Sequence, residues 1–194
     1  MDHRDHVGLL RGGVVPSGLD SDPPTWADVG AGEGAFTLAL ADLLGPGARI
    51  LAVDRDRGAL ARNAEAMTDR FPRTSLETMV GDFTGSLELP LVDGIVAANS
   101  LHFIARDRQV DVVRRLAGAV RPGGTFLVVE YDADRGNPWV PNPFGWSTWQ
   151  RMAGEAGLTE TRLLGRVPSQ FLGAIYSAAS VVPSRADSDD ASRS

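Results

Sequence analysis

Three alternate glycines in Asp28-Val29-Gly30-Ala31-Gly32-Glu33-Gly34 join a short apolar run to a helical pattern. A turn of that composition lets the backbone approach a ligand with no β-carbon between them. The amides that open the next helix then face a polar small molecule. Further along stand Asp54, Gly81-Asp82-Phe83, Asn99, Ser100-Leu101-His102-Phe103 and Glu130-Tyr131-Asp132, each group closing or following an apolar run. A carboxylate such as Asp54 can accept hydrogen bonds from two neighbouring hydroxyls, which a neutral side chain cannot duplicate. His102 is the one imidazole among these groups and can take a proton from a hydroxyl or amine. Tyr131 and Asp132 are the other candidates for contact with such an acceptor.

The elements that must position these residues follow a β/α rhythm. Strands are predicted over 25–29, 49–53, 76–80, 91–97 and 125–130. Helical spacing links Phe36, Leu40, Leu43 and Leu44, then Leu60, Ala64, Met67 and Phe71, then Val110, Val113, Ala117 and Val120. Gly45-Pro46-Gly47 and Pro72 stop the first two helices, and Arg121-Pro122-Gly123-Gly124 is expected to be a tight turn feeding the fifth strand. The link between the third and fourth strands is about ten residues, room for a turn or two of helix at most. Beyond it come a loop rich in Pro and Trp over 136–149, a helix over 148–156 capped by Gly157, and two strands over 160–164 and 171–177. The link over 165–170 suits a hairpin, so the last strand is expected to be antiparallel. The fold class is therefore α/β, a doubly wound, seven-stranded, mostly parallel sheet. Right-handed crossovers bring every loop that follows a parallel strand to one edge, so the polar groups above converge on one crevice.

Composition narrows the chemistry. The chain has 194 residues, one domain's worth, and a net charge of −6, which argues against a nucleic-acid-binding face. All 19 basic side chains are Arg, so Schiff-base chemistry and a P-loop lysine are absent, and the lack of Cys removes thiol nucleophiles and thiolate metal sites. The His residues lack metal-ligand spacing, and no metal is expected. No apolar run reaches the eighteen or so residues of a membrane span, and the polar start is unlike a signal peptide, so a cytoplasmic protein is expected. The domain is expected over 25–182, with 1–24 as a segment covering the acceptor side and 183–194 as a disordered tail. The 137–149 loop, with three of the four Trp, either covers the site too or packs on the sheet edge; packing is the favoured reading.

This order of motifs resembles the class I S-adenosylmethionine-dependent methyltransferases over about 28–132. The Asp28 to Gly34 stretch is similar to that family's acidic-x-Gly-x-Gly-x-Gly motif, and Leu116 through Gly124 to its helix and Arg-Pro-Gly-Gly turn. The resemblance implies a donor site built from Asp28, Gly30, Ala31, Gly32, Gly34, Asp54, Arg55, Asp82, Phe83 and Asn99. Asp54 would hold the ribose, Asp82 the adenine amino group, Phe83 one ring face and Arg55 the other. It also implies S-adenosylmethionine as cofactor, S-adenosylhomocysteine as product and a small-molecule acceptor, with a homodimer left open. Each residue has a plainer role beside this one: Asp54 could cap the next helix, Asp82 make a turn, Asp28 brace the loop and His102 pack beneath it.

Gly30-Ala31-Gly32-Glu33-Gly34-Ala35 also satisfies a relaxed dinucleotide fingerprint, so an NAD(P)- or FAD-dependent oxidoreductase is the rival. Asp28 and Glu33 beside a pyrophosphate would each cost about 4 kcal/mol at ~4 Å and an effective dielectric of ~20. A ligand carrying ammonium and sulfonium groups tolerates them, which favours the methyl donor. A non-catalytic ligand-binding protein of the same fold is the third reading.

Overall fold

Apolar runs alternating with segments of helical period produce the predicted rhythm, with one helix in addition. The computed structural model describes residues 1–15 and 23–184. In chain order its elements are α1 (His3–Leu10), β1 (Thr25–Val29), α2 (Ala35–Leu44), β2 (Arg49–Asp54), α3 (Arg57–Arg70), β3 (Ser75–Val80) and β4 (Val92–Ala98). There follow a 3-10 turn (Leu101–Phe103), α4 (Arg106–Ala117), β5 (Val120–Tyr131), α5 (Trp146–Glu155), β6 (Thr159–Ser169) and β7 (Gly173–Val181).

The seven strands form one sheet in the order β3-β2-β1-β4-β5-β7-β6. Strands β1 to β5 are parallel, and β7 runs antiparallel between β5 and β6. The strand order reverses between β1 and β4, which opens a crevice at their carboxyl ends. Side-chain alternation assigns each strand to two apolar layers. Ala27, Val29, Ile95, Ala97, Phe126 and Val128 pack with α4 and α5, whereas Trp26, Val96, Ala98, Leu127 and Val129 pack with α1 and α2. Strand β4 is buried throughout, as a central parallel strand covered on both faces must be.

Three boundaries differ from the sequence reading. Arg121-Pro122-Gly123-Gly124 does not precede β5 but lies inside it as a bulge: Val120 pairs with Val92 and pairing resumes at Thr125 with Gly94. Gly124 is held there because a β-carbon would stand 2.6 Å from the Asp93 carbonyl oxygen. The hairpin turn is shorter than expected, lying between Ser169 and Gly173, with Pro168 accepted because β6 is an edge strand. The segment over 1–24 contains α1, a helix that the sequence reading did not assign. Asp2 and Asp5 cap it reciprocally, and Val7, Leu9 and Leu10 are buried beside α2. Residues 16–22 and all but the first two of the expected tail, 183–194, lie outside the described residues.

The 137–149 loop packs, as favoured. Phe144 and Trp149 are fully buried and Trp149 stacks on Phe126 and Phe144, leaving Trp139 exposed. Among the described residues, no helix is long and apolar enough to cross a membrane.

Candidate active site

A cleft of about 330 Å³ opens where the carboxyl ends of β1, β2, β3 and β4 meet. Its walls carry Gly30 and Gly32 from the loop after β1, Asp54 and Arg55 from β2, Asp82 and Phe83 after β3, and Asn99 after β4. Seven of the ten residues expected around the donor are thus brought together. The other three, Asp28, Ala31 and Gly34, stand behind the wall.

The glycine loop is anchored at its base by Gly30 and Ala31, whose amides donate to the Val53 carbonyl at 2.8 and 3.0 Å. A β-carbon on Gly30 would lie 2.4 Å from that of Ser100, so only glycine lets the loop after β4 approach. At Gly32 a β-carbon would meet no protein atom within 4 Å, so its left-handed φ of 52°, and not a close approach of the chain, is what favours glycine there.

Asp54 sits at the end of β2 and takes the Gly32 amide on Oδ2 and the Asp56 amide on Oδ1, each at 2.8 Å. These two bonds fix the carboxylate beside the glycine loop. A carboxylate offers about four acceptor sites, so roughly two remain for ligand hydroxyls. The helix-capping role falls to Asp56, which accepts from the Gly58 and Ala59 amides. Asp82 accepts the Thr84 amide at 2.8 Å. The Thr84 side chain and amide hold its carboxyl below the usual range, so it is ionised at neutral pH. Asn99 adopts a left-handed φ of 49°, rare for a residue with a side chain, and its Oδ1 is buried with no protein partner.

Asp28 is buried beneath the loop, and its Oδ2 accepts the Thr37 hydroxyl at 2.7 Å, which in turn accepts from the Asn63 amide at 2.9 Å. Burial pushes its pKa up to about 7, Asp54 adds to the rise, and the Thr37 bond opposes it. Glu33 turns outward to Arg62 at 2.9 Å, both exposed. The like-charge argument against a pyrophosphate therefore loses its premise: burial favours the neutral form of one acid, and the other is paired in solvent. Asp54 is the charged group that touches the loop.

On the acceptor side, His102 is buried at 3% exposure and pairs through Nδ1 with Glu130 Oε2 at 2.8 Å. Glu130 is wholly buried and also accepts the Leu101, His102 and Tyr131 amides. Phe103 lines the cleft with its ring 4.3 Å from the imidazole, so His102 stands one side chain behind the wall. Tyr131 packs edge-on against His102 at 5.6 Å and does not line the cleft, and burial raises its phenol pKa. Asp132 caps α5 through the Trp146 amide at 2.9 Å and pairs with Arg166 at 2.6 Å, so both its oxygens are engaged in structure.

The sequence reading passed over Ser100, Thr84 and Glu130 as working residues. Glu130 carried a signal: an ionisable side chain directly after the apolar run Phe126-Leu127-Val128-Val129 needs a buried partner. Ser100 and Thr84 carried none, because a small hydroxyl beside a loop has too many ordinary uses.

Comparison with known proteins bears on the fold and the family. Mouse acetylserotonin O-methyltransferase is 34% identical over 130 residues, covering 62% of this chain and 32% of that protein. The chain thus spans about a third of the length of the curated relatives it matches. Among solved structures, the S-adenosylmethionine-dependent methyltransferase SibL in its apo form superposes with a TM-score of 0.69 at 22% identity, over 93% of this chain and 55% of that one. An O-methyltransferase family 2 protein from Planctomyces limnophilus, complexed with apigenin, gives 0.68 at 20%, over 91% and 56%. At such identities these two establish the fold. The family described as "Methyltransferase domain" matches residues 27–126, just over half of the sequence, from within β1 through all of β2, β3 and β4, so the chain belongs to the methyltransferases and not to the dinucleotide oxidoreductases.

Proposed function

We propose that this chain binds S-adenosylmethionine in the strand-end cleft and transfers its methyl group to a hydroxyl of a small-molecule acceptor. The convergence of Asp54, Asp82, Phe83 and the unsatisfied Asn99 Oδ1 on one cleft carries the reading. The residues fit the donor. Asp54 has acceptor sites left for ribose hydroxyls, Asp82 an ionised carboxylate for the adenine amino group, and Phe83 a ring for the base. Asn99 Oδ1 supplies an acceptor for an ammonium, and Gly32 leaves its flank of the cleft open. When bound, the donor supplies a sulfonium methyl that needs no further activation.

The protein's part is alignment and one proton. The cleft must hold the acceptor oxygen in line with the methyl carbon, away from water. Both Glu130 oxygens already accept backbone amides, and with His102 Nδ1 donating to Oε2 the lone pair of the ring is left on Nε2. In this reading His102 receives the acceptor's hydroxyl proton only when Phe103, which stands between the imidazole and the cleft, turns aside to expose Nε2, and Glu130 then stabilises the imidazolium that forms. Tyr131 fixes the ring from its edge. The hydroxyl acceptor is argued from the O-methyltransferases that the chain resembles.

One observation favours the second reading, a ligand-binding protein without turnover. His102 is buried and Asp132 is engaged, so no candidate base stands free in the cleft. Incubation with methyl-labelled S-adenosylmethionine and a panel of small hydroxylated compounds decides between them. Methylated product in wild type, reduced by about 10²–10⁴-fold in His102→Ala, supports the transferase with its base. Full turnover in His102→Ala removes the base, and donor binding with no transfer to any compound leaves the second reading.

A further inference from the structure

The adenine-side wall of the cleft has no element of its own. Residues 81–91 form only turns and irregular chain between β3 and β4. Phe83, Leu87 and Leu89 pack against the core from this segment, but a hollow of about 480 Å³ remains between residues 86–91 and the carboxyl end of α4, so packing holds the wall only in part. Two side chains cross to it from α4. Arg115 Nη2 donates to the Phe83 carbonyl at 2.7 Å, and Arg108 Nη2 donates to the Thr84 carbonyl at 3.1 Å. Seven residues apart, the two lie on one flank of the helix, beside the buried Gln109, Val112 and Leu116.

We propose that Arg108 and Arg115 are positioning residues that hold Phe83 and Thr84 against the cleft and so set its affinity and selectivity for a nucleobase. The pair does from α4 what a helix after β3 would otherwise do by packing. Each guanidinium grips a carbonyl whose residue faces the cleft with another part: the ring of Phe83, and the amide of Thr84 that orients Asp82. Arg108, with Arg55, also lies close enough to favour the ionised form of Asp82. The proposal rests on the reading that adenine binds at Asp82 and Phe83.

Calorimetric titration of the full chain with S-adenosylhomocysteine, adenosine and inosine tests it. In Arg108→Met/Arg115→Met, affinity for S-adenosylhomocysteine and adenosine falls together by about tenfold, the size of two charge-assisted bonds discounted for solvent exposure. Preference for adenosine over inosine shrinks with it, because the carboxylate that reads the amino group is no longer held. The double Lys variant, which keeps charge and a donor, recovers part of the loss and stands in if the Met pair does not fold. Arg114→Met, on the same helix but bonded to Asp111 and the Glu155 carbonyl, changes nothing. Wild-type affinity and selectivity in both the Met and Lys pairs overturn the proposal, as does a loss for S-adenosylhomocysteine that spares adenosine. If wild type binds neither S-adenosylhomocysteine nor adenosine, the parent reading of the cleft has failed, and that appears before any variant is made.

Discussion

At the scale of single residues, the buried acid and the buried imidazole make the sharpest claims. Asp28 has a folded pKa of about 7 against an ordinary value of 3.8. The native state therefore binds more protons than the unfolded chain between these values. Stability from this residue is complete below about 3.8 and is lost as pH rises through about 7. The span corresponds to a loss of at most about 4 kcal/mol. Urea denaturation at pH 5 and pH 8 checks it: Asp28→Asn, which keeps the shape and can still accept from Thr37, is expected to lose most of the wild type's decline. Parallel curves for the two proteins contradict the assignment. The Glu130 carboxylate is satisfied by three amides and the imidazole, so Glu130→Ala leaves several buried donors unpaired. We expect Glu130→Gln to keep the fold and slow transfer, read as a fall in kcat at saturating donor. Neither Asp28's neutrality nor His102's partner was legible in the sequence, because burial and a bond between residues 28 positions apart belong to the folded state.

At the scale of elements, the loop after β1 separates folding from binding. Gly30→Ala drives a β-carbon into Ser100, an overpacking that costs about 1–3 kcal/mol beyond the left-handed backbone penalty. Gly32→Ala meets nothing and costs only about 1–2 kcal/mol for its φ of 52°. Thermal denaturation is therefore expected to show a large drop for Gly30→Ala and a small one for Gly32→Ala, while donor affinity falls in Gly32→Ala. A Gly32→Ala protein that melts early yet binds normally reverses this account. Elements with a strong pattern were readable: Leu60, Ala64 and Met67 mark α3, and the near-continuous apolar runs of β2 and β5 mark strands covered on both faces. The bulge in β5 was not. Arg-Pro-Gly-Gly has the composition of a free turn, and only the pairing of Val120 with Val92 pulls it into the sheet. Helix α1 left a faint trace in the Asp2 and Asp5 capping pair, outweighed by the charge of its first residues.

At the scale of the molecule, a sheet whose order reverses between β1 and β4 gathers loops far apart in sequence onto one rim. That consequence of right-handed crossovers is why the cleft could be located from strand ends alone. What covers the rim was not legible in the same way, since it depends on how α1 and the 137–149 loop dock. Helix α1 joins the core on the α2 side, so Leu10→Ala is expected to destabilise the whole domain by about 2–5 kcal/mol without altering donor affinity at temperatures where it is folded. Equilibrium unfolding, followed by titration of the folded variant, checks both halves. The central claim is that the rim grips an adenosyl donor through Asp54. Titration of wild type and Asp54→Ala with S-adenosylhomocysteine tests it most directly: the account predicts binding to wild type and a loss of roughly 1.5–3 kcal/mol in the variant. Equal affinity in the two proteins would contradict it.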